Sequence, residues 1–524
     1  MEKLNKIERL KANLHPFDYY KQLEKIDFSN INEADRFYLK NFGIYNIKMR
    51  PNVYMLRVRV DGGKISKNQL ELLAKIALKY NLKILLTARA QIELHQILPK
   101  DILNVFKEVN SQIPTWQTLT DNFRAIITSE YNSKKSPIYC YDIIKDIQDS
   151  ILKNPKYVGM LPRKFNTAII GDESVGFNFW GNDLVFVLAK KDETLGFNVY
   201  LGGKNSEVAK SANIFCTKDE VKEIFLAIAN IFLKHQSRDS RAKLRLFFLI
   251  EKLGMQRVRE LIELELKRAL QTEGTLLVKS SKSFEEPFFT KHFGRFGEID
   301  AKEILDAIKR FDNFRLSPRQ MLLAIDFNKE AKNSDILELN ACAGSRYCAL
   351  SLWDIKRDLD PKLLNIFKKY KISFGFSGCL KGCGRHHHSD IGFIGLRTNL
   401  YAKTELAIRV YIGSVQMPKQ MAGRLLYYSV PKRAINTLLF DIIDDFKASG
   451  FKIFEEFSYN VLNRYDIEFL QLWYLLKGLK IVDKKHQEDF LALQKDKILD
   501  SLEIELNSQT IKELSHKLWD LNEN

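Results

Sequence analysis

The chain has 524 residues, 45% of them hydrophobic and 11% aromatic, which describes a globular protein of two to four domains able to bury a large interior. No stretch approaches the eighteen apolar residues of a membrane span, and the N-terminus "MEKLNKIERLKANLHP" has no uninterrupted apolar core, which excludes a secretory signal. The formal charge of +17, from 82 Lys and Arg against 65 Asp and Glu, suits nucleic acid, an acidic protein or an anionic small molecule.

Two features weaken the nucleic-acid reading. Most of the basic residues are Lys in a chain also rich in Ile, Asn and Phe, as a bias across a whole proteome would produce, and no basic run carries interleaved aromatics. The expected location is the cytoplasm, where thiols stay reduced and clustered cysteines serve more often as metal ligands or catalysts than as disulfides.

In chain order, residues 1–50 read as helical segments leading to a strand, "VYMLRVRV" (53–60), closed by the turn "DGG". "KISKNQLELLAKIALKYN" then has apolar residues at helical spacing, and "LKILLTARAQIEL" reads as a strand. A second copy of this unit comes much later, in "FGEIDAKEILDAIKRFDNFRLSPRQMLLAI", where Arg319 of "LSPRQM" matches Arg89 of "LTARAQ". A coarser echo pairs "NDLVFVLAKKDETLGFNVYLGG" with "SDIGFIGLRTNLYAKTELAIRVYIGS", each running from Asp through a strand and a turn to a second strand ending in Gly. The chain therefore reads as duplicated, each half a small α+β unit followed by a larger one. After about residue 465 the pattern becomes charged and amphipathic, as in "KDKILDSLEIELNSQTIKELSHKLWDLNEN", a helical tail for packing or partner docking.

Four of the six cysteines fall in two short pieces, "NACAGSRYCALS" and "GFSGCLKGCGRHHHSDIGFIG", as Cys342, Cys348, Cys379 and Cys383. Two disulfides, a zinc site and an iron–sulfur cluster are the candidates. The spacings are Cys-x5-Cys and Cys-x3-Cys. Structural zinc knuckles favour two to four intervening residues, so the first pair fits zinc poorly, whereas four thiolates from two loops suit a cubane cluster. Gly378, Gly382 and Gly384 let the backbone approach an inorganic cluster closely. The remaining Cys140 and Cys216 read as structural, and His386, His387 and His388 as local packing rather than a metal site.

This pattern, continued by Asp-Ile-Gly-Phe, resembles the siroheme and [4Fe–4S] signature of nitrite and sulfite reductases. The resemblance extends over about residues 1–460 and takes in "LRVRV", "LTARAQ" and "LPRKFNTAI" in the family's order. It implies that Cys342, Cys348, Cys379 and Cys383 hold the cluster, with Cys383 also ligating the siroheme iron. It places Arg57, Arg124, Lys164 and Asn166 on the face that binds the substrate anion. Alternation along "LRVRV" sets Arg59 on the same side as Arg57. For the carboxylates of siroheme the candidates are Arg89, Arg319, Gln320 and the row Arg238, Arg241 and Arg245, the last three equally readable as a helix-surface charge row. The chain departs from the family at Leu380 and Lys381, where Pro-Asn is usual, at Gln91 and Glu93 after Thr-x-Arg, and at Gly413, where the family has Gly-Gly.

The expected architecture is α+β and internally duplicated: a helical arm (1–50), ferredoxin-like half-domains at 51–117 and 285–332 paired across a pseudo-twofold, larger α/β domains at 118–284 and 333–460, and a helical tail (461–524). The expected reaction is six-electron reduction of nitrite to ammonia, with sulfite to sulfide as the alternative substrate. Family members for sulfite tend to carry Lys-x-Lys after Leu-Pro-Arg and those for nitrite Lys-x-Asn, and this chain has Lys164 and Asn166. No Gly-x-Gly-x-x-Gly follows a strand, so electrons come from another protein, a ferredoxin or a separate flavoprotein. The rival from another class is a non-catalytic metal-binding protein using its basic surface on nucleic acid.

Overall fold

In the computed structural model, which describes residues 4–477 apart from 177–178, 284, 332–336, 399–403 and 418, the helix expected after the DGG turn forms, but "LKILLTARAQIEL", read as one strand, folds back on itself as two antiparallel strands across a turn at residues 87–91. Strands β1 (Ile44–Ile47) and β2 (Arg50–Val58) lead through the Asp61-Gly62-Gly63 turn to β3 (Lys64–Ile65), the helix Lys67–Lys79, β4 (Lys83–Leu86) and β5 (Ile92–Ile97). The turn needs glycine. Gly63 has φ +75°, and a Cβ there would lie 2.3 Å from the Leu316 carbonyl oxygen. Ser66 and Gln69 form a capping box at the head of the helix, and Leu70, Leu73, Ala74 and Ala77 make its buried face.

A larger sheet follows, from β6 (Thr167–Ile170), β8 (Leu184–Lys191), β9 (Thr194–Leu201), β10 (Lys210–Cys216) and β11 (Thr275–Leu276), beside a small pair of β7 (Ser174–Val175) and β12 (Lys279–Ser280). Its order is β10–β9–β8–β11, with β6 parallel to β8. Residues 123–127 run parallel to the start of β6 through bridges at Phe123–Phe165 and Ile127–Ala168. Phe123, Phe165, Phe225 and Phe232, the last two from the helix Val221–His235, fill the core behind this sheet.

The second copy comprises β13 (Phe289–Phe293), β14 (Glu298–Ile299), the helix Ala301–Ile308, β15 (Asn313–Ser317) and β16 (Met321–Asp326). The two copies exchange a strand. β14 adds to β4, giving the order β1–β2–β5–β4–β14, and β3 adds to β15, giving β13–β16–β15–β3. The duplicated Thr/Ser-x-Arg turns are also alike in detail. Thr87 Oγ1 accepts from Arg89 N at 3.3 Å and Ser317 Oγ accepts from Arg319 N at 3.0 Å. The next residue is left-handed in both, Ala90 at φ +53° and Gln320 at φ +59°. A hydroxyl two residues ahead fixes each arginine at the tip of its turn.

The described residues fall into two compact units, one drawn from 1–334 with 416–420 and the other from 335–415 with 421–524. The second is built on β17 (Leu339–Ala341), β18 (Phe374–Ser377), β19 (Ile391–Thr398), β20 (Glu405–Ile412) and β21 (Arg424–Pro431), in that order across its sheet. Here β18 is parallel to β19, and β19–β20 and β20–β21 are antiparallel, the same pattern as β6, β8, β9 and β10. The fold is α+β with internal duplication. The helix Ile467–Leu476 ends near the limit of the described residues, so most of the expected tail lies outside them. No described helix is long and apolar enough to cross a membrane.

Candidate active site

In the first unit, pairing places Arg57 of β2 directly opposite Glu93 of β5. Arg57 Nε donates to Glu93 Oε1 at 2.8 Å, and Nη2 donates to the same oxygen. The other carboxylate oxygen lies 2.8 Å from His95 Nε2. Burial alone would raise the Glu93 carboxyl; Arg57 and His95 outweigh it and hold it down to about 2. Arg59 shares the side of Arg57 in sequence alternation but is immersed: it binds Asp61 at 2.6 and 3.1 Å and donates to the Phe123 carbonyl at 2.9 Å. It staples the β2 end to the segment that carries Arg124.

Arg124 lies in that segment, its amide donating to the Phe165 carbonyl at 2.8 Å, which sets it between Lys164 and Asn166 on the adjacent segment. Phe165 points into the core, so Lys164, half-buried, and Asn166, buried, face the other way. The guanidinium of Arg124 donates to the carbonyls of Thr118 and Thr120, neutral acceptors, and its Nε is buried with no hydrogen-bond partner among the described residues. Burial, and after it Arg57, with Arg163 and Arg245 further down, push its pKa well down, against the pull of Asp121. Arg163 is lowered by burial and then by Arg241, with Asp121 opposing. A guanidinium does not give up its proton in a protein, so this crowding favours a negatively charged ligand.

The row Arg238, Arg241 and Arg245 is not on a helix. It lies in the irregular loop between the helices Val221–His235 and Leu246–Leu253, because "HQSRDSRAKLRL" lacks an apolar stripe to bury. Each arginine reaches a carboxylate of the protein: Arg238 to Glu8 at 2.8 Å, Arg241 to Asp121 at 2.6 and 2.9 Å, and Arg245 to Asp183 at 2.7 and 2.8 Å. Asp183 also accepts from Asn166 N at 2.7 Å, so Arg245 steadies the segment presenting Asn166. Arg89 donates to Asn182 Oδ1 and the Ala125 carbonyl, both at 2.7 Å. Arg319 binds Glu130 at 2.8 Å and Tyr131 Oη at 2.7 Å, and Gln320 Nε2 donates to the Leu86 carbonyl at 3.0 Å.

In the second unit, β17 and β18 are parallel neighbours, so their C-terminal ends open on one edge of the sheet. Cys342 follows β17 directly and Cys379 comes two residues after β18. The Gly378 amide donates to Cys342 Sγ at 3.1 Å, and a Cβ on Gly378 would lie 1.9 Å from Ser351 Oγ. Gly382, between the second pair, has φ +71°. Cys342 is buried, Cys348 and Cys379 half-buried and Cys383 exposed. Burial, and then Cys383, push the Cys342 thiol up to about 11; burial also raises Cys379, with the Lys381 amide opposing. These thiols disfavour one another's ionisation, a balance that a bound cationic centre reverses. Among the described residues no three His, Cys, Asp or Glu side chains converge on one metal ion; the structure sets the four cysteines on the two loops that follow β17 and β18.

Leu380 is 69% exposed, so the departure there alters the surface of the cysteine loop rather than its packing. His386 sits 2.8 Å from Ser377 Oγ, and His386 and His387 pack on the Tyr411 ring, as local packing requires. Cys140 and Cys216 are fully buried. The sequence alone did not single out Arg163, His95, Asp121 or Asp183, and it showed Glu93 only as a departure from the family pattern. Arg163 stood inside "LPRKF" and Asp121 inside "DNFR", but the partners of the acids are distant in sequence.

Two family models match the chain: the nitrite/sulfite reductase ferredoxin-like half domain over residues 47–112 and the nitrite and sulphite reductase 4Fe-4S domain over residues 122–270. The chain is 25% identical to a ferredoxin–nitrite reductase of Leptolyngbya laminosa over 500 residues, covering 84% of this chain and 96% of that one. It is also 25% identical to a ferredoxin-dependent sulfite reductase of Mycobacterium tuberculosis, covering 75% of this chain and 83% of that one. The solved structure of the Mycobacterium tuberculosis NirA protein superposes with a TM-score of 0.76 at 21% identity, covering 89% of this chain and 97% of that one, a likeness of fold.

Proposed function

Because the chain belongs to the nitrite and sulphite reductase family of oxidoreductases, we propose that it reduces nitrite to ammonia with electrons from a separate donor protein of the ferredoxin kind. The reaction takes six electrons and eight protons per nitrite and yields ammonium and two waters. A [4Fe–4S] cluster on Cys342, Cys348, Cys379 and Cys383, and siroheme with Cys383 as its iron's protein ligand, would supply the electron storage and the metal that side chains lack. Arg57, Arg124 and Lys164 hold the anion and donate hydrogen bonds to its oxygens, and Lys164 is the group with a proton to give. The crowded guanidiniums around Arg124, with its Nε awaiting an acceptor, fit both a small oxyanion and the carboxylates of a siroheme.

The observation that carries nitrite over sulfite is Asn166. Sulfite near neutral pH is substantially dianionic with three oxygens, and a second ammonium at this position would serve it. Nitrite is a monoanion with two oxygens, which a neutral amide can orient without adding positive charge. Steady-state kcat/KM for both anions, with a reduced chemical donor, tests this. Nitrite should be preferred, and Asn166→Lys should raise the sulfite-to-nitrite ratio. A wild-type preference for sulfite overturns the reading, as does a ratio that Asn166→Lys leaves unmoved.

An acidic donor docking on this basic protein should bind more weakly as salt screens the contact, the Debye length being about 10 Å at 0.1 M. Turnover with a small chemical donor should change far less over the same salt range. Equal sensitivity for the two donors argues against electrostatic docking.

A further inference from the structure

Glu93 is a buried acid placed against one of the cations proposed to bind substrate. It is 6% exposed, lies opposite Arg57 in the β2–β5 pairing, and takes both Arg57 Nε and Nη2 on a single oxygen. Its second oxygen is held by His95 Nε2 at 2.8 Å. Glu93 and His95 are two apart on β5 and share a face, so the three side chains form one line across the two strands. Arg57 Nη1 makes no hydrogen bond among the described residues, and the side chain is 23% exposed. The pair therefore keeps a directed donor while its net charge is zero. Arg124 differs, its described acceptors all being carbonyls.

We propose that Glu93 sets the charge of the anion this face accepts, cancelling the charge of Arg57 while leaving its hydrogen bonds, so that a monoanion is favoured over a dianion. Glu93 is a positioning residue that acts through Arg57, and the inference rests on Arg57 facing the substrate. It joins Asn166 as a second, independent place where this chain has one positive charge fewer than a dianion site calls for. The physical basis is that a fixed carboxylate close to a confined site repels a second negative charge on the ligand, while hydrogen-bond geometry is insensitive to that charge.

The test is Glu93→Gln in the holoenzyme, which keeps acceptor and shape and removes the charge. The kcat/KM ratio of sulfite to nitrite should rise about tenfold, mostly through KM for sulfite. Equilibrium titration of the oxidised enzyme with each anion, without donor, should show the same shift. Glu93→Asp keeps the charge and should leave the ratio near wild type even where overall activity falls. A structural role alone would lower both anions together in both variants, and that result overturns the proposal. Wild-type enzyme offers a check independent of folding in the variants: perchlorate should compete with nitrite better than sulfate, an anion of like shape and one more charge. The reverse order counts against the proposal. If wild type prefers sulfite but Glu93→Gln still shifts the ratio, the nitrite reading fails and the role of Glu93 stands; nitrite preference with an unmoved ratio is the opposite case.

Discussion

Cys383→Ser is expected to lose both the iron–sulfur signal and normal siroheme ligation, because one sulfur is proposed to serve both metals. An alcohol in its place neither ionises near neutral pH nor bridges iron, so activity on nitrite and on sulfite should fall below detection. The fold should survive. Cys383 is exposed, and its neighbours Gly382 and Gly384 set the loop path. Iron and acid-labile sulfide analysis, read with the visible bands, checks this. A variant with full cluster and unchanged bands would sink the bridging role, whereas loss of the cluster with unaltered siroheme bands would limit Cys383 to the cluster. Cys140→Ser is the internal control. It touches a fully buried thiol distant in sequence from the loops and should leave iron content unchanged.

Much of this was legible in the chain itself. The Thr-x-Arg and Ser-x-Arg repeats announced a duplicated unit because the hydroxyl and the arginine both have local work, the hydroxyl capping the amide two residues on. The cysteine spacings pointed to two loops, and the parallel pairing of β17 with β18 explains why both open on one edge. The exchange of β3 and β14 was not legible. Two-residue strands carry no periodicity, and their partners are more than two hundred residues away. The arginine row misled for a related reason: arginines three and four apart mimic one face of a helix, but Glu8, Asp121 and Asp183 draw the loop inward instead. Glu93 was noticed only as a departure, since its meaning comes from the residue across the strand.

Asp121→Ala should be the most destabilising substitution in the first unit. Asp121 has no exposed side-chain surface and meets Arg241 through both oxygens, at 2.6 and 2.9 Å, and Lys11 Nζ at 2.9 Å. Lys11 is buried as well, and also bonds Glu8 at 2.6 Å and the Leu161 carbonyl at 2.8 Å. Alanine would leave the Arg241 guanidinium with no hydrogen-bonded carboxylate and the buried Lys11 ammonium with Glu8 alone, a loss of about 3 kcal/mol by analogy with other broken buried pairs. Urea unfolding would read it, with the exposed Asp149→Ala as a control expected to leave the midpoint in place. The pH dependence has a definite sign. Burial would raise the Asp121 carboxyl, but Lys11 and Arg241 outweigh it and hold it below the ordinary range. A carboxyl whose folded pKa is depressed stabilises fully above its unfolded value, about 3.9, and that contribution drains away as pH falls through the folded value. Wild type should therefore lose stability below about pH 4 faster than Asp121→Asn, which cannot be protonated. Because Asp121 begins the "DNFR" segment, the same variants should weaken anion binding at Arg124 even at pH values where the protein stays folded. Parallel acid sensitivity in wild type and Asp121→Asn would mean that the network does not depend on this charge.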